Sequence, residues 1–138
     1  MDGRGALTSK KVLKAAMIAR ANKKVDTKPE RQFKAYAESR KMELIQDVKV
    51  VCGGFDFQLD FAHSAYHTFD YEIEIDGPYH DSGRQLAKSL WKDALKNRQG
   101  LKVVHIPAIL TNKKWWPYLD QMLPKALLSV SPTVYVIA

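Results

Sequence analysis

The spacing of apolar residues changes several times along the chain, and each change marks an element. Between residues 43 and 76 the period is close to two. Glu43 to Val51, with Leu44, Ile45, Val48, Val50 and Val51, predicts a strand. In the next segment Phe55, Phe57, Leu59 and Phe61 alternate with Asp56, Gln58, Asp60 and Ala62, which predicts a half-buried strand. Cys52-Gly53-Gly54 between them supplies turn residues, so the pair reads as a hairpin. Tyr71, Ile73 and Ile75 alternate with Asp70, Glu72, Glu74 and Asp76, a third strand ending at Gly77-Pro78.

Around this centre the spacing is helical. Residues 9–24 carry a weak stripe of Val12, Leu13, Ala16, Met17 and Ala19 among lysines and arginines, as on a surface helix or a basic arm. Thr27, with Pro29 and Glu30 after it, starts a second helix over 28–42, with Phe33, Tyr36 and Ala37 facing the core. A third spans 82–98, with Leu86, Leu90, Leu95 and Trp91 turned inward, and Gly100 closes it. Leu101 to Ile106 is a short apolar strand. Asn112 caps a last helix carrying Trp115, Trp116, Leu119, Met122 and Leu123, which Pro124 should kink or divide. Residues 134–137 make an added strand or a tail. The order of elements predicts an α/β plan with a mixed sheet.

The 138 residues are enough for one domain: a basic segment 1–26, a core 27–106, and a last helix and tail at 107–138. No apolar run reaches the roughly 18 residues needed to cross a bilayer, and Met1 to Gly5 leads into no signal core, so no membrane partner is expected. One cysteine, Cys52, excludes an internal disulfide and a cysteine-pair zinc site, and a cytoplasmic setting is expected. Charge is more informative once divided. Residues 1–42 hold 12 Lys/Arg and 4 Asp/Glu, a net of +8; residues 43–83 hold 1 and 9, a net of −8; residues 84–138 hold 9 and 2, a net of +7. Basic arms attract polyanions such as nucleic acid, whereas clustered carboxylates repel a phosphate unless a cation neutralises them. The combination suits an enzyme that binds nucleic acid and cuts it with a metal.

On a strand, Glu72, Glu74 and Asp76 share one face, and Asp60 near the end of the neighbouring strand can approach them. Carboxylates converging where a strand stops make a hard-oxygen site suited to magnesium. Glu72 also fits the solvent face of an antiparallel strand. Asp60 and Asp76, close to Gly77, fit a site.

The ordered set Leu-Asp60-Phe-Ala, Glu74-Ile-Asp76-Gly77-x-x-His80, Asp93, and Gln99-Gly100-Leu101-Lys102-Val103-Val104 resembles the very-short-patch-repair-type endonucleases of the PD-(D/E)xK superfamily. It also resembles homing endonucleases with an EDxHD pattern, which Glu30, Asp60, Asp76, His80 and Asp93 fill in order. The resemblance covers about residues 27–106. It implies a restriction-endonuclease-like mixed β-sheet flanked by helices and hydrolysis of DNA phosphodiesters with magnesium, for which manganese could substitute. It implies that Asp60, Glu74 and Asp76 hold the metal and that His80 moves a proton. Glu30 would lie beside the site, and Asp93 would orient His80 or a water. Two features depart from the pattern. Asp76 stands where the superfamily's lysine is expected, and the single cysteine cannot supply the zinc site of the repair enzymes.

Other readings compete. Glu30 lies three residues after Thr27, which is capping-box spacing. Asp93 fits a helix surface among Lys88, Lys92, Lys96 and Arg98. Trp115 and Trp116 fit a core as well as a DNA wedge, and His63 and His67 fit solvent or DNA contacts in a loop. The function expected is a metal-dependent DNA endonuclease of nicking or homing type. The alternatives are a Holliday-junction-resolvase-like nuclease and a non-catalytic DNA-binding protein of the same fold. Cutting both strands would call for a homodimer.

Overall fold

A computed structural model describes residues 26–63, 71–77 and 83–136. The predicted helix over 9–24 lies outside the described residues, as do His67 and His80. Among the described residues the fold is α/β, a five-stranded mixed sheet with three α-helices, as the element order predicts. The sheet order is β1 (Leu44–Cys52), β2 (Phe55–His63), β3 (Tyr71–Asp76), β4 (Lys102–Pro107) and β5 (Thr133–Tyr135). The first three strands are antiparallel neighbours, and β3, β4 and β5 run parallel. The parallel pairs need crossovers, which α2 (Gly83–Arg98) and α3 (Trp116–Leu128) supply. Residues 133–135 therefore form the added strand. No helix among the described residues is long and apolar enough to cross a membrane.

The main core lies on one face of the sheet. Phe61, Ile73, Val104 and Ile106 pack there against Phe33, Tyr36 and Ala37 of α1 (Lys28–Ser39) and Leu119, Leu123 and Ala126 of α3. Trp116 joins this packing, its indole N–H donating to the Thr111 carbonyl, whereas Trp115 is exposed. A smaller cluster of Val48, Val50, Cys52, Phe57, Leu59, Ala62 and Leu101 takes Leu95 from α2.

Local chemistry sets the ends of the elements. Thr27 and Glu30 make a reciprocal capping box at the start of α1. That helix ends at Ser39, three residues earlier than predicted, because Lys41 adopts a left-handed conformation with φ 56°. Met42 N–H then reaches the Ala37 carbonyl and Lys41 N–H that of Glu38, a Schellman closure formed without glycine. Gly100 closes α2 by the same pattern, as predicted. Gly53 and Gly54, both at positive φ, make the β1–β2 turn, as a right-twisted hairpin requires. Asn112 caps a short 3₁₀ turn (Lys113–Trp115) that leads into α3, and α3 is not divided at Pro124.

Two expectations about sidedness are corrected. The alternating phenylalanines of β2 do not share one face: Phe57 and Leu59 enter the small cluster, and Phe61 the main core. The β1–β2 register skips Asp47 and Asp60, and Asp47 sits at φ 55°, so the hairpin is distorted there. On α2, Leu86, Leu90 and Trp91 are exposed, while Ser89, Asp93 and Lys96 are buried at 7, 2 and 3 % exposure. The helix turns its polar stripe to the sheet because the sheet face beneath it carries Glu72, Glu74, Asp76 and His105, which need polar partners. Trp91 instead covers Phe55 and Phe57, with ring centroids 4.9 and 6.4 Å away.

Candidate functional site: an acidic cleft backed by a buried charge layer

The distortion that splits the phenylalanines also places Asp60. The β2–β3 ladder is formed at Phe61–Ile73 and Ala62–Glu72 and stops before Asp60, which would otherwise sit opposite Glu74. In place of a ladder bond, the Ile75 amide donates to Asp60 Oδ2 at 2.9 Å. Asp60 and Glu74 both line a cleft of about 340 Å³, with Thr27, Pro29 and Glu30 from the start of α1, and Ile75 and Gly77 at the end of β3. Both readings of Glu30 thus meet in one place, since it completes the capping box and also belongs to the cleft wall.

The Asp60 carboxyl is pushed up to about 8. Burial is the largest cause, the Ile75 hydrogen bond opposes it, and the negative charges of Glu72, Glu74 and Glu30 add to it. Among the described residues that line it, the cleft gathers the carboxyl groups of Glu30, Asp60 and Glu74 and no Lys or Arg. Asp60 and Glu74 fit a magnesium ion, which takes one or two protein carboxylates and completes its shell with water and phosphate oxygen.

Behind Glu74 lies a layer of charge between the sheet and α2. Glu72, at 1 % exposure, is not on a solvent face: Lys96 Nζ meets its Oε1 at 2.7 Å. Burial pushes the Glu72 carboxyl up and Lys96 draws it back. At Lys96, burial works against the charge, but Glu72 and Glu74 outweigh it and hold the ammonium protonated. The Glu74 carboxylate stands 4.0 Å from Lys96 and 3.8 Å from His105, beyond hydrogen-bond distance of either.

His105 connects the remaining predicted residues. Its Nδ1 is 2.9 Å from Asp76 Oδ2 and its Nε2 is 2.6 Å from Asp93 Oδ2, while the Tyr135 ring stacks on its face at 4.4 Å. A neutral imidazole has one N–H, so facing a carboxylate with both nitrogens calls for a second proton. Burial lowers the His105 pKa, but the hydrogen bonds to Asp76 and Asp93 and the charges of Asp76 and Glu74 raise it more, to about 10. The ring is an imidazolium at neutral pH.

The structure thus gathers Asp60, Glu74 and Glu30 around the cleft and turns Asp76 and Asp93 onto His105. His80 is outside the described residues. Sequence reasoning passed over His105 and Lys96. The signal for His105 was a lone imidazole in the apolar run Leu101 to Ile106, where a buried polar ring must find partners. Of the basic residues between 84 and 102, Lys96 is used internally and Lys102 donates to the Leu127 and Ser129 carbonyls, whereas Arg84, Lys88 and Arg98 are exposed. No protein-family model, curated protein or solved structure matches this chain.

Proposed function

We propose that the chain is a magnesium-dependent DNA endonuclease whose reaction takes place in the cleft between β2, β3 and the start of α1. The observation that carries this reading is Asp60, a largely buried carboxylate held by the Ile75 amide and facing Glu74 with no cation partner among the described residues. Such a group costs stability, and a divalent ion offsets that cost. Magnesium, when bound, supplies Lewis-acid stabilisation of the phosphoryl oxygens and a more acidic water. Asp60 and Glu74 would hold it, with Glu30 at the edge of the same cleft. Asp76 and Asp93, fixed on His105, would act by holding the charge layer that backs Glu74. His80 is proposed to move the proton, in place of the lysine missing at Asp76. The basic arms support DNA as the partner, since Lys and Arg on either side of the acidic centre can grip flanking phosphates.

The test is incubation of the full chain with supercoiled, linear and branched DNA, with magnesium, with manganese, and with chelator. Metal-dependent nicking or cutting supports the reading, and preference for the branched substrate would move it toward a resolvase. Binding without cleavage under every condition would leave a non-catalytic DNA-binding protein.

A further inference from the structure

The layer behind the cleft holds a donor set of a different kind. The ligand atoms of Glu74, Asp93 and His105 lie within 4.8 Å of one another, and one of them is an imidazole nitrogen. Two observations point to a cation there. Asp93 is 2 % exposed, and its Oδ1 has no hydrogen-bond partner among the described residues, while Oδ2 alone meets His105. A carboxylate oxygen buried without a partner is costly, and such an atom calls for an explanation. The charge count points the same way. Among the described residues, the three carboxylates of Glu72, Glu74 and Asp93 meet two cationic side chains, Lys96 and His105, so one negative charge remains in excess even with the ring protonated.

We propose that Glu74, Asp93 and His105 form a site for a divalent transition-metal ion of the zinc class, sharing only Glu74 with the oxygen-lined cleft. A nitrogen donor with carboxylates suits zinc, whereas magnesium takes oxygen ligands. The ion would replace the proton between Nε2 and Asp93. Nδ1–H would still donate to Asp76 Oδ2 at 2.9 Å, the carboxylate–histidine–metal arrangement that fixes the tautomer and aims the ring. Tyr135, stacked on the imidazole, holds its plane. Metal–ligand bonds of about 2.0–2.2 Å bring ligand atoms closer together than they stand here. Glu74 is the ligand that has to move, from a position where its Oε2 is 3.8 Å from Nδ1, and it is able to because it makes no hydrogen bond to Lys96 or His105 and its side chain is 24 % exposed. As part of the cleft wall it also offers the ion a way in from solvent.

This inference does not depend on nuclease activity, and its test reads metal alone. The full chain, stripped with chelator, is titrated with zinc by calorimetry and in competition with a chromophoric chelator. The wild type, His105→Gln, Asp93→Asn and Asp60→Asn are compared. One zinc per chain is expected, with affinity falling at least about tenfold in His105→Gln and Asp93→Asn and little changed in Asp60→Asn. Excess magnesium should not displace the zinc. Zinc binding unaltered by the first two substitutions, or lost only in Asp60→Asn, would overturn the assignment. Circular dichroism shows whether those two variants fold. If they do not, the ring ¹⁵N signals of His105 in the wild type decide: a shift with one equivalent of zinc supports the site, and signals that stay in place refute it.

Discussion

At Asp60, burial works against the charge that a metal site needs. Its carboxyl ordinarily titrates near 3.8 and here near 8, so the folded chain holds a proton that the unfolded chain releases. Stability from this group is fully present below pH 4 and is lost as pH rises through 8. In chelator, Asp60→Asn should therefore be more stable than wild type at pH 8, by on the order of 1–3 kcal/mol, and the gap should narrow at pH 5. Urea unfolding at the two pH values measures this, and a variant less stable than wild type at pH 8 would contradict it. His105 has the same sign in a higher window. Its pKa is raised from 6.5 to about 10, so its contribution is complete below pH 6.5 and lost as pH rises through 10. Thermal unfolding between pH 7 and 10 should show a decline in wild type that is much reduced in His105→Gln. Strand alternation placed Asp60 beside the carboxylate row of β3, and one cleft is indeed lined by Asp60 and Glu74, because a carboxylate row beside a strand end is a local pattern. His105 was not legible in this way, because its partners Asp76 and Asp93 lie 29 and 12 residues away and only the fold brings them together.

Among the elements, α2 shows where hydrophobic periodicity stops being a guide. Its apolar stripe reads inward and its polar stripe outward, yet Asp93 and Lys96 are buried while Leu86 and Leu90 face out. The sheet face beneath decides this: Glu72 at the centre of β3 has to meet a cation, and Lys96 is that cation. Lys96→Met should cost about 3–5 kcal/mol, because it leaves Glu72 buried and unpaired. Adding Glu72→Met should restore much of that loss, since an apolar pair needs no desolvation of charge. Chemical denaturation of the single and double variants measures the coupling, and a double variant no more stable than Lys96→Met would show that the ion pair does not dock the helix. Where a terminus rests on local chemistry, the sequence was a better guide. The Thr27–Glu30 capping box and the Gly100 closure form as predicted, whereas α1 stops early at Lys41, a residue whose type carries no signal for left-handed backbone. The split of the β2 phenylalanines was equally silent, since it follows from a positive φ at Asp47 on the partner strand.

Along the whole chain, acidic residues are concentrated in the centre and basic residues in the two flanking segments. If the flanks grip DNA, log affinity should fall by about 0.9 for each phosphate neutralised per unit of log salt. Fluorescence anisotropy with a labelled duplex across a salt series measures the slope, and a flat response would exclude the basic arms from the interface. The central claim is that Asp60 serves a metal-dependent cut rather than the fold. The most direct measurement compares wild type and Asp60→Asn on supercoiled DNA with magnesium, with DNA binding followed in parallel. The account predicts that Asp60→Asn binds DNA about as tightly as wild type, because the amide keeps the shape of the carboxyl and removes none of the basic residues that would grip phosphate, and that its cleavage falls to background. Cleavage by Asp60→Asn at the wild-type rate would contradict it.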